Sequence, residues 1–349
     1  MSLETTLASV QPVDPAVAAR TQSLLDVKTK PRRSLGRLED LACRLAAARG
    51  VAVPEVPEPA VVVMAGDHGV AEEGVSAYPA EVTAQMVANF ARGGAAINVL
   101  ARHASAEVVV VDMGVSVPVA LPGVRAVSIA RGTRNMAREP AMTLAQARAA
   151  LEAGIALAGE LADEGITLIA LGEMGIANTT AASALAARLT GAEPAEVVGR
   201  GTGIDDAGLA RKREVLSRAL ALHRDAREPL DVLACLGGLE IAGLAGVTLG
   251  AAARRVPVLL DGFITSAAAL VAVRLCPAVA GYLVASHRSV EPGHRRVLDA
   301  LGLTPLLELE LRLGEGTGAA LALPLAAAAI RVLREMATFA DAGVSDSGA

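Results

Sequence analysis

Short apolar runs that end in glycine turns recur along the chain, and a longer segment with helical spacing follows most of them. The runs are "PAVVVMAGDHG" (59–69), "EVVVVDMG" (107–114), "ITLIALGEMG" (166–175), "DVLACLGG" (231–238), "VPVLLDG" (256–262), "GYLVASHRS" (281–289) and "LLELELRLGEG" (306–316). The early runs are continuous and β-branched, the pattern of parallel strands buried on both faces. The Ala-rich segments between runs, 143–163 and 239–254 among them, predict crossover helices. Such a series of βαβ units predicts an α/β fold with a doubly wound, mainly parallel sheet. Ligands bind such sheets beyond the carboxyl ends of the strands, where the glycine turns gather.

Residues 1–58 have a different character. "TKPRRSLGRLEDLACRLAAARG" (29–50) is basic, then helical, and leads into the Pro-punctuated "VPEVPEPA" (53–60). A helical arm contributing to a small helical domain is expected over 1–58, the α/β domain over 59–338, and a disordered tail over 339–349.

Composition narrows the function. Of 349 residues 53% are hydrophobic but only 1% aromatic, so the core is aliphatic and a base-stacking surface is not expected. Net charge is −5 with no basic stripe, which also argues against nucleic acid as a partner. Cys43, Cys235 and Cys276 are scattered without a CxxC, as expected of free thiols in a reducing cytoplasm. The five histidines form no compact ligand set, so neither a metal nor another cofactor is expected. The N-terminus has no secretory pattern. The longest apolar run, 317–330, falls short of the ~20 residues that span a bilayer. A cytoplasmic location is expected.

Four stretches invite chemistry. In "LRLGEGTGAALALPL" (311–325) Glu315 stands between two glycines, with no charged neighbour in sequence between Arg312 and Arg331. A lone buried carboxylate takes a raised pKa, which suits a general base; a glutamate at a helix N-terminus, held by free amides, is the structural alternative. "GEMGIANTTAASAL" (172–185) puts Asn178, Thr179 and Thr180 at a helix start, suited to an anion or to ordinary N-capping. Glu173 in the same turn would repel a phosphate and suits ribose hydroxyls instead. "GRGTGIDDAGLARKREVL" (199–216) offers Asp205 or Asp206 as a helix cap, and Lys212 either reaches back toward an anion or lies in solvent. In "AGDHGVAEEGVSAYPAEVTAQMVANF" (65–90) Tyr78, Gln85 and Met86 suit the walls of a planar-ring pocket. Adjacent Asp67 and His68 resemble a catalytic pair in type, although neighbours in a strand-end loop often point apart. Asp112 stands alone where donors carrying pyrophosphate usually find an acidic pair. No GxGxxG follows the first strand, against a dehydrogenase. A non-catalytic nucleotide-binding regulator would have no need of Glu315 and Glu173.

Eight stretches in order, "KPRRSLGRLE", "AGDHGVAEEGVSAYPAEVTAQMV", "GGAAINVL", "GEMGIANTTAASAL", "GRGTGIDD", "DGFITSAAAL", "SHRSVEPGH" and "LRLGEGTGAAL", resemble the nicotinate-nucleotide–dimethylbenzimidazole phosphoribosyltransferase family over residues 20–338. The resemblance implies a Rossmann-like α/β domain with a smaller helical domain, usually as a homodimer. It implies transfer of a 5-phosphoribosyl group from nicotinate mononucleotide to 5,6-dimethylbenzimidazole, in assembly of the lower nucleotide loop of cobalamin. It implies Glu315 as catalytic base, with Ser76, Tyr78, Gln85 and Leu313 around the acceptor. The phosphoribosyl group would fall to Glu173, Gly175, Asn178, Thr179, Gly201, Thr202, Lys212 and Ser289. One departure is Arg32-Arg33, where the family often has Pro-Gly; it puts the local turn in doubt.

Overall fold

The computed structural model describes residues 1–345. Six strands form one parallel sheet: β1 (Pro59–Gly66), β2 (Glu107–Gly114), β3 (Val124–Ala126), β4 (Leu168–Met174), β5 (Val258–Leu260) and β6 (Leu283–Ala285). Their order is β3-β2-β1-β4-β5-β6. The chain winds outward from β1 to β3, returns to β4 on the other side of β1, and continues to β6. The crevice of a doubly wound sheet opens where that direction reverses, here between β1 and β4.

The fifteen helices of the described residues are α1 (Leu3–Ser9), α2 (Pro15–Asp26), α3 (Arg37–Arg49), α4 (Val82–Ala91), α5 (Ala96–His103), α6 (Leu144–Asp163), α7 (Asn178–Thr190), α8 (Pro194–Val197), α9 (Asp206–Leu222), α10 (Pro229–Leu236), α11 (Leu239–Ala253), α12 (Phe263–Leu275), α13 (Pro292–Leu301), α14 (Thr317–Glu335) and α15 (Phe339–Ala342). Side chains alternate across a strand, and the two faces feed separate cores. Val61, Val63, Ala65, Val110, Ala170 and Leu259 pack with α3, α4, α5 and α14. Val62, Met64, Val111, Ile169, Leu171 and Leu260 pack with α6, α7, α10, α11 and α12.

With so few aromatics, close approach replaces bulk. On α6 and α11 a β-carbon at Gly154 would stand 2.0 Å from the Gly243 carbonyl oxygen, and one at Gly246 2.0 Å from that of Leu151. Helix α14 has the length and apolarity of a membrane span, yet here it packs between the sheet and α3.

The first 58 residues do not form one layer. Helix α1 packs on α6 and α11, whereas α2 and α3 pack on each other and on α14. A buried ion pair, Lys30 Nζ to Glu39 Oε1 at 2.8 Å, ties the turn before α3 to that helix. Burial works to raise the Glu39 carboxyl, but Lys30, Gln22 and the Leu35 amide together hold it below its usual value. Arg33, at the family's glycine position, takes a φ of +61°, so the turn keeps a glycine-like conformation without the glycine.

Three expectations are corrected. "DVLACLGG" is not a strand; Pro229 starts α10 and its Leu and Ala residues bury a helical face. A short apolar run gives no period that separates the two structures. "LLELELRLGEG" alternates like a strand but stays outside the sheet, with one isolated bridge, His287 to Leu307. Its would-be inner face is not buried: Leu309 and Leu313 are exposed. Finally, Phe339–Ala342, expected in a disordered tail, form the short helix α15 capped by Thr338; residues 346–349 lie outside the described residues. The short edge strand β3 gave no sequence signal.

Candidate active site

Glu315 lies in the crevice on a backbone that few residues adopt. Gly314, Glu315 and Gly316 have φ of +83°, +62° and +94°, three consecutive left-handed residues. The carbonyl of Glu315 rests on β4, 2.3 Å from where a β-carbon of Gly172 would be. Its carboxylate is buried and accepts from the Ile97 amide, 3.2 Å away, in the first turn of α5. Burial raises its pKa and the Asp261 charge adds to this, opposed by the Ile97 bond. Glu315 does not cap its own helix, α14. That task falls to Asp261, whose Oδ1 accepts from Gly318 (2.7 Å) and Ala319 (3.1 Å) and whose Oδ2 accepts from Gly316 (3.3 Å).

Glu173, the penultimate residue of β4, shares the crevice. A β-carbon at Gly314 would sit 2.3 Å from its Oε1. Burial pushes its carboxyl up to about 8, helped by Asp261, Glu240 and Glu315 and opposed by the Asn178 side-chain amide, which donates to Oε2. Asn178 is thus engaged with Glu173 and does not cap α7; the residue before it, Ala177, takes the N-cap position in a left-handed conformation.

The second cluster gathers Thr179, Gly201, Thr202 and Lys212, with Ser289 tied to it through Glu291, whose amide donates to the Ser289 hydroxyl at 3.3 Å. Lys212 is fully buried, contrary to the solvated alternative, and its Nζ is 2.7 Å from Thr179 Oγ1. Burial lowers its ammonium to about 8 against the pull of Glu291. Gly201 passes over both: a β-carbon there would be 2.8 Å from Thr179 Oγ1 and 3.2 Å from Lys212 Nζ. The Gly201 amide donates to Glu291 Oε1 at 3.0 Å. The Ser289 amide donates to His294 Nδ1 at 2.9 Å, which leaves the ring proton on Nε2, facing Ser266 Oγ at 3.0 Å. Burial and the neighbouring His287 push His294 down to about 3, so the imidazole is neutral. Asp205 rather than Asp206 caps α9, accepting from the Gly208 amide.

Ser76 joins the second cluster, its Oγ 3.2 Å from Thr202 Oγ1. The Ala77 amide also donates to Thr202, at 2.9 Å. Tyr78, Gln85 and Leu313 are exposed, Tyr78 to 56% and Leu313 to 58%. The Tyr78 amide donates to Ser76 Oγ at 3.3 Å; no side-chain hydrogen bond joins Tyr78, Gln85 or Leu313 to the crevice among the described residues. Buried Thr83, two residues before Gln85, accepts from the Ile176 amide and fastens α4 to the loop after β4. Gly175 is pressed against the end of β1, where a β-carbon would be 2.4 Å from the Gly66 carbonyl oxygen.

Asp67 and His68 point apart. Asp67 accepts from the Ser116 amide and hydroxyl, while His68 Nε2 pairs with Glu240 at 2.7 Å. Burial works to lower the imidazole, but the Glu240 charge and hydrogen bond, with Asp67, together raise it above its ordinary value. Asp112 is engaged structurally, accepting from the Val115 amide and the Ser128 hydroxyl. Sequence reasoning missed Asp261, Glu291, His294 and Thr83 as site-building residues. Asp261 carried a usable signal, an acid ending an apolar strand. The other three show their part only through partners distant in sequence.

A crevice at the switch point of a parallel α/β sheet, with a buried lysine and hydroxyls on one side and raised carboxyls on the other, defines a group-transfer enzyme for phosphorylated substrates. A family model described as Phosphoribosyltransferase matches residues 10–344. The nicotinate-nucleotide–dimethylbenzimidazole phosphoribosyltransferase of Chloroflexus aggregans is 58% identical over 349 residues, covering 99% of each chain. That of Cupriavidus necator is 58% identical over 337 residues, covering 96% of this chain and 97% of its own. The crystal structure of CobT from Thermus thermophilus superposes with a TM-score of 0.92 at 51% identity, over 95% of this chain and 100% of that one. The chain belongs to the nicotinate-nucleotide–dimethylbenzimidazole phosphoribosyltransferase family.

Proposed function

We propose that this enzyme moves the 5-phosphoribosyl group of nicotinate mononucleotide onto 5,6-dimethylbenzimidazole in cobalamin biosynthesis, with Glu315 as general base. Family membership supports the reaction. The observation that carries the role of Glu315 is its buried, raised carboxylate on a fixed left-handed backbone in the crevice.

The donor's pyridine nitrogen is quaternary, so nicotinate leaves with the bonding pair and needs no proton. The acceptor attacks C1′ through one ring nitrogen while the proton on the other must go. A carboxylate takes that proton; its raised pKa makes it the stronger acceptor, at a typical gain of about 10²–10⁴-fold. Attack opposite the leaving group inverts C1′ from β to α, giving α-ribazole 5′-phosphate. Lys212, Thr179 and the Gly201–Thr202 backbone suit the 5′-phosphate, with Ser289 alongside. Glu173, protonated at neutral pH, suits a ribose hydroxyl, with Asn178 and Gly175 beside it. Ser76, Tyr78, Gln85 and Leu313 suit the acceptor ring, which needs walls and one polar handle. Holding two substrates in line supplies at least as much rate as the base.

Homodimerisation and a cytoplasmic location complete the proposal. The three free cysteines support a reducing compartment. Purified protein given both substrates should yield α-configured ribazole phosphate by mass and nuclear magnetic resonance. Absence of product, or a β-configured one, would reject the reading.

A further inference from the structure

We propose that Asp261 is the positioning residue for Glu315: from the end of β5 it holds the start of α14 and so fixes the catalytic carboxylate in place. The proposal rests on the reading of Glu315 as base.

The need for such a residue follows from the backbone. The first amides of a helix need acceptors, normally an N-cap side chain. Here the N-cap is Gly316 at φ +94°, which has no side chain to offer. Thr317 turns back to the Gly314 carbonyl, leaving the amides of Gly316, Gly318 and Ala319, and one carboxylate, Asp261, takes all three. Asp261 is itself held in place by its surroundings. It is buried, and the Ser286 hydroxyl, at the end of β6, donates to the Leu260 and Asp261 carbonyls. His287 Nε2 stands 3.5 Å from Oδ1, and its ring packs on Gly318, where a β-carbon would be 2.0 Å from Cδ2.

Glu315 therefore hangs between three strands: β4 under its carbonyl, β5 through Asp261, and β1 through Val61 against Gly316. The titratable groups facing it are Asp261 from β5 and Glu173, protonated at neutral pH, from β4, with His287 from β6 beyond Asp261. The Asp261 charge also disfavours a second negative charge and so strengthens Glu315 as a base.

Asp261→Asn removes the charge and turns one acceptor into a donor aimed at amides. Asp261→Glu keeps the charge but lengthens the arm by one methylene. For Asn, kcat should fall by about 10²-fold, the loss expected of a catalytic group misplaced by an ångström, with both KM values little changed. The acid limb of its residual kcat profile should move to lower pH. For Glu, kcat should fall with the limb in place. In a Glu315→Gln background, Asp261→Asn should cost almost nothing further, because the two act as a unit. An Asn variant with unchanged kcat and limb overturns the proposal, as does an equal proportional loss in both backgrounds. Failure of both variants to fold would leave Asp261 a stabilising cap alone and overturn it too. Full activity in Glu315→Gln alone is a different result, and removes the base reading itself.

Discussion

Glu173 lays a carboxyl oxygen over Gly314, 2.3 Å from where that residue's β-carbon would stand. The backbone beside the proposed base is thus roofed by a second acid, and each group's charge is felt in the same small space. Gly314→Ala would force a β-carbon into that oxygen and hold alanine at φ +83°. A left-handed non-glycine residue costs about 1–2 kcal/mol before any clash. We expect a lower melting temperature and a fall in kcat larger than stability accounts for, measured by calorimetry and steady-state rates on the folded fraction. Wild-type kcat in the variant would show that the loop has room to yield.

Glu173→Gln should stabilise the free protein at high pH. The folded carboxyl titrates near 8, against an ordinary value of 4.5. The folded state therefore binds the proton more tightly than the unfolded one, and its stability falls as pH rises from about 4.5 to about 8. A glutamine has no proton to lose. Its advantage should be absent near pH 4, grow through that window and level off above it, reaching on the order of a few kcal/mol. Denaturant melts at several pH values test this; a difference that does not change with pH refutes it.

Glu315→Gln should keep the fold and bind both substrates, with kcat lower by about 10²–10⁴-fold. The wild-type rate should fall on the acid side as this carboxyl protonates, with the limb above the usual glutamate range because burial raises the group. The variant should lack that limb. Near-full activity would place the base elsewhere, with Glu173 next in line.

Lys212→Met keeps a volume close to that of the buried side chain while removing its charge. Donor affinity should drop by roughly 1.5–3 kcal/mol, the worth of a hydrogen bond to a charged group, with acceptor affinity nearly unchanged. In the wild type, donor binding should weaken as pH rises past about 8, where the free lysine loses its proton. Calorimetric titration of the donor at two pH values decides it; a methionine variant with wild-type donor affinity would remove Lys212 from the phosphate.

Gln85→Ala should alter the ranking of acceptor bases, because the proposed function puts Gln85 against the acceptor and its side chain is exposed rather than packed in the core. Competition between benzimidazoles and purines, read by product mass, measures this. Equal proportional losses for every base would make Gln85 structural.

The sequence displayed this site unevenly, and the reasons are physical. Glu315 stood out because a lone carboxylate between glycines is costly to bury, a property local to a few residues. The long helices 144–163 and 239–253 announced themselves because their spacing runs over several turns. In sequence Lys212 stays open between an anion and solvent, since only the fold reveals that its position on a charged helix points inward. Asp261 hid because its partners lie 55 to 58 residues on, beyond any local pattern. The alternation of 306–313 misled because a period of two records an extended chain, not a partner strand to receive it.

The bracing of Glu315 against three strands, and the exposure of Tyr78 and Gln85 to solvent, divide the enzyme into parts that tolerate substitution unequally. A substitution near the base must satisfy the sheet, a neighbouring acid and a helix start at once, so few will survive. A substitution at Tyr78 or Gln85 meets little packing, whereas Thr83 between them is buried and holds the loop after β4. Lineages that encounter different bases can therefore retune the menu one residue at a time, while the machinery that moves the sugar is inherited whole.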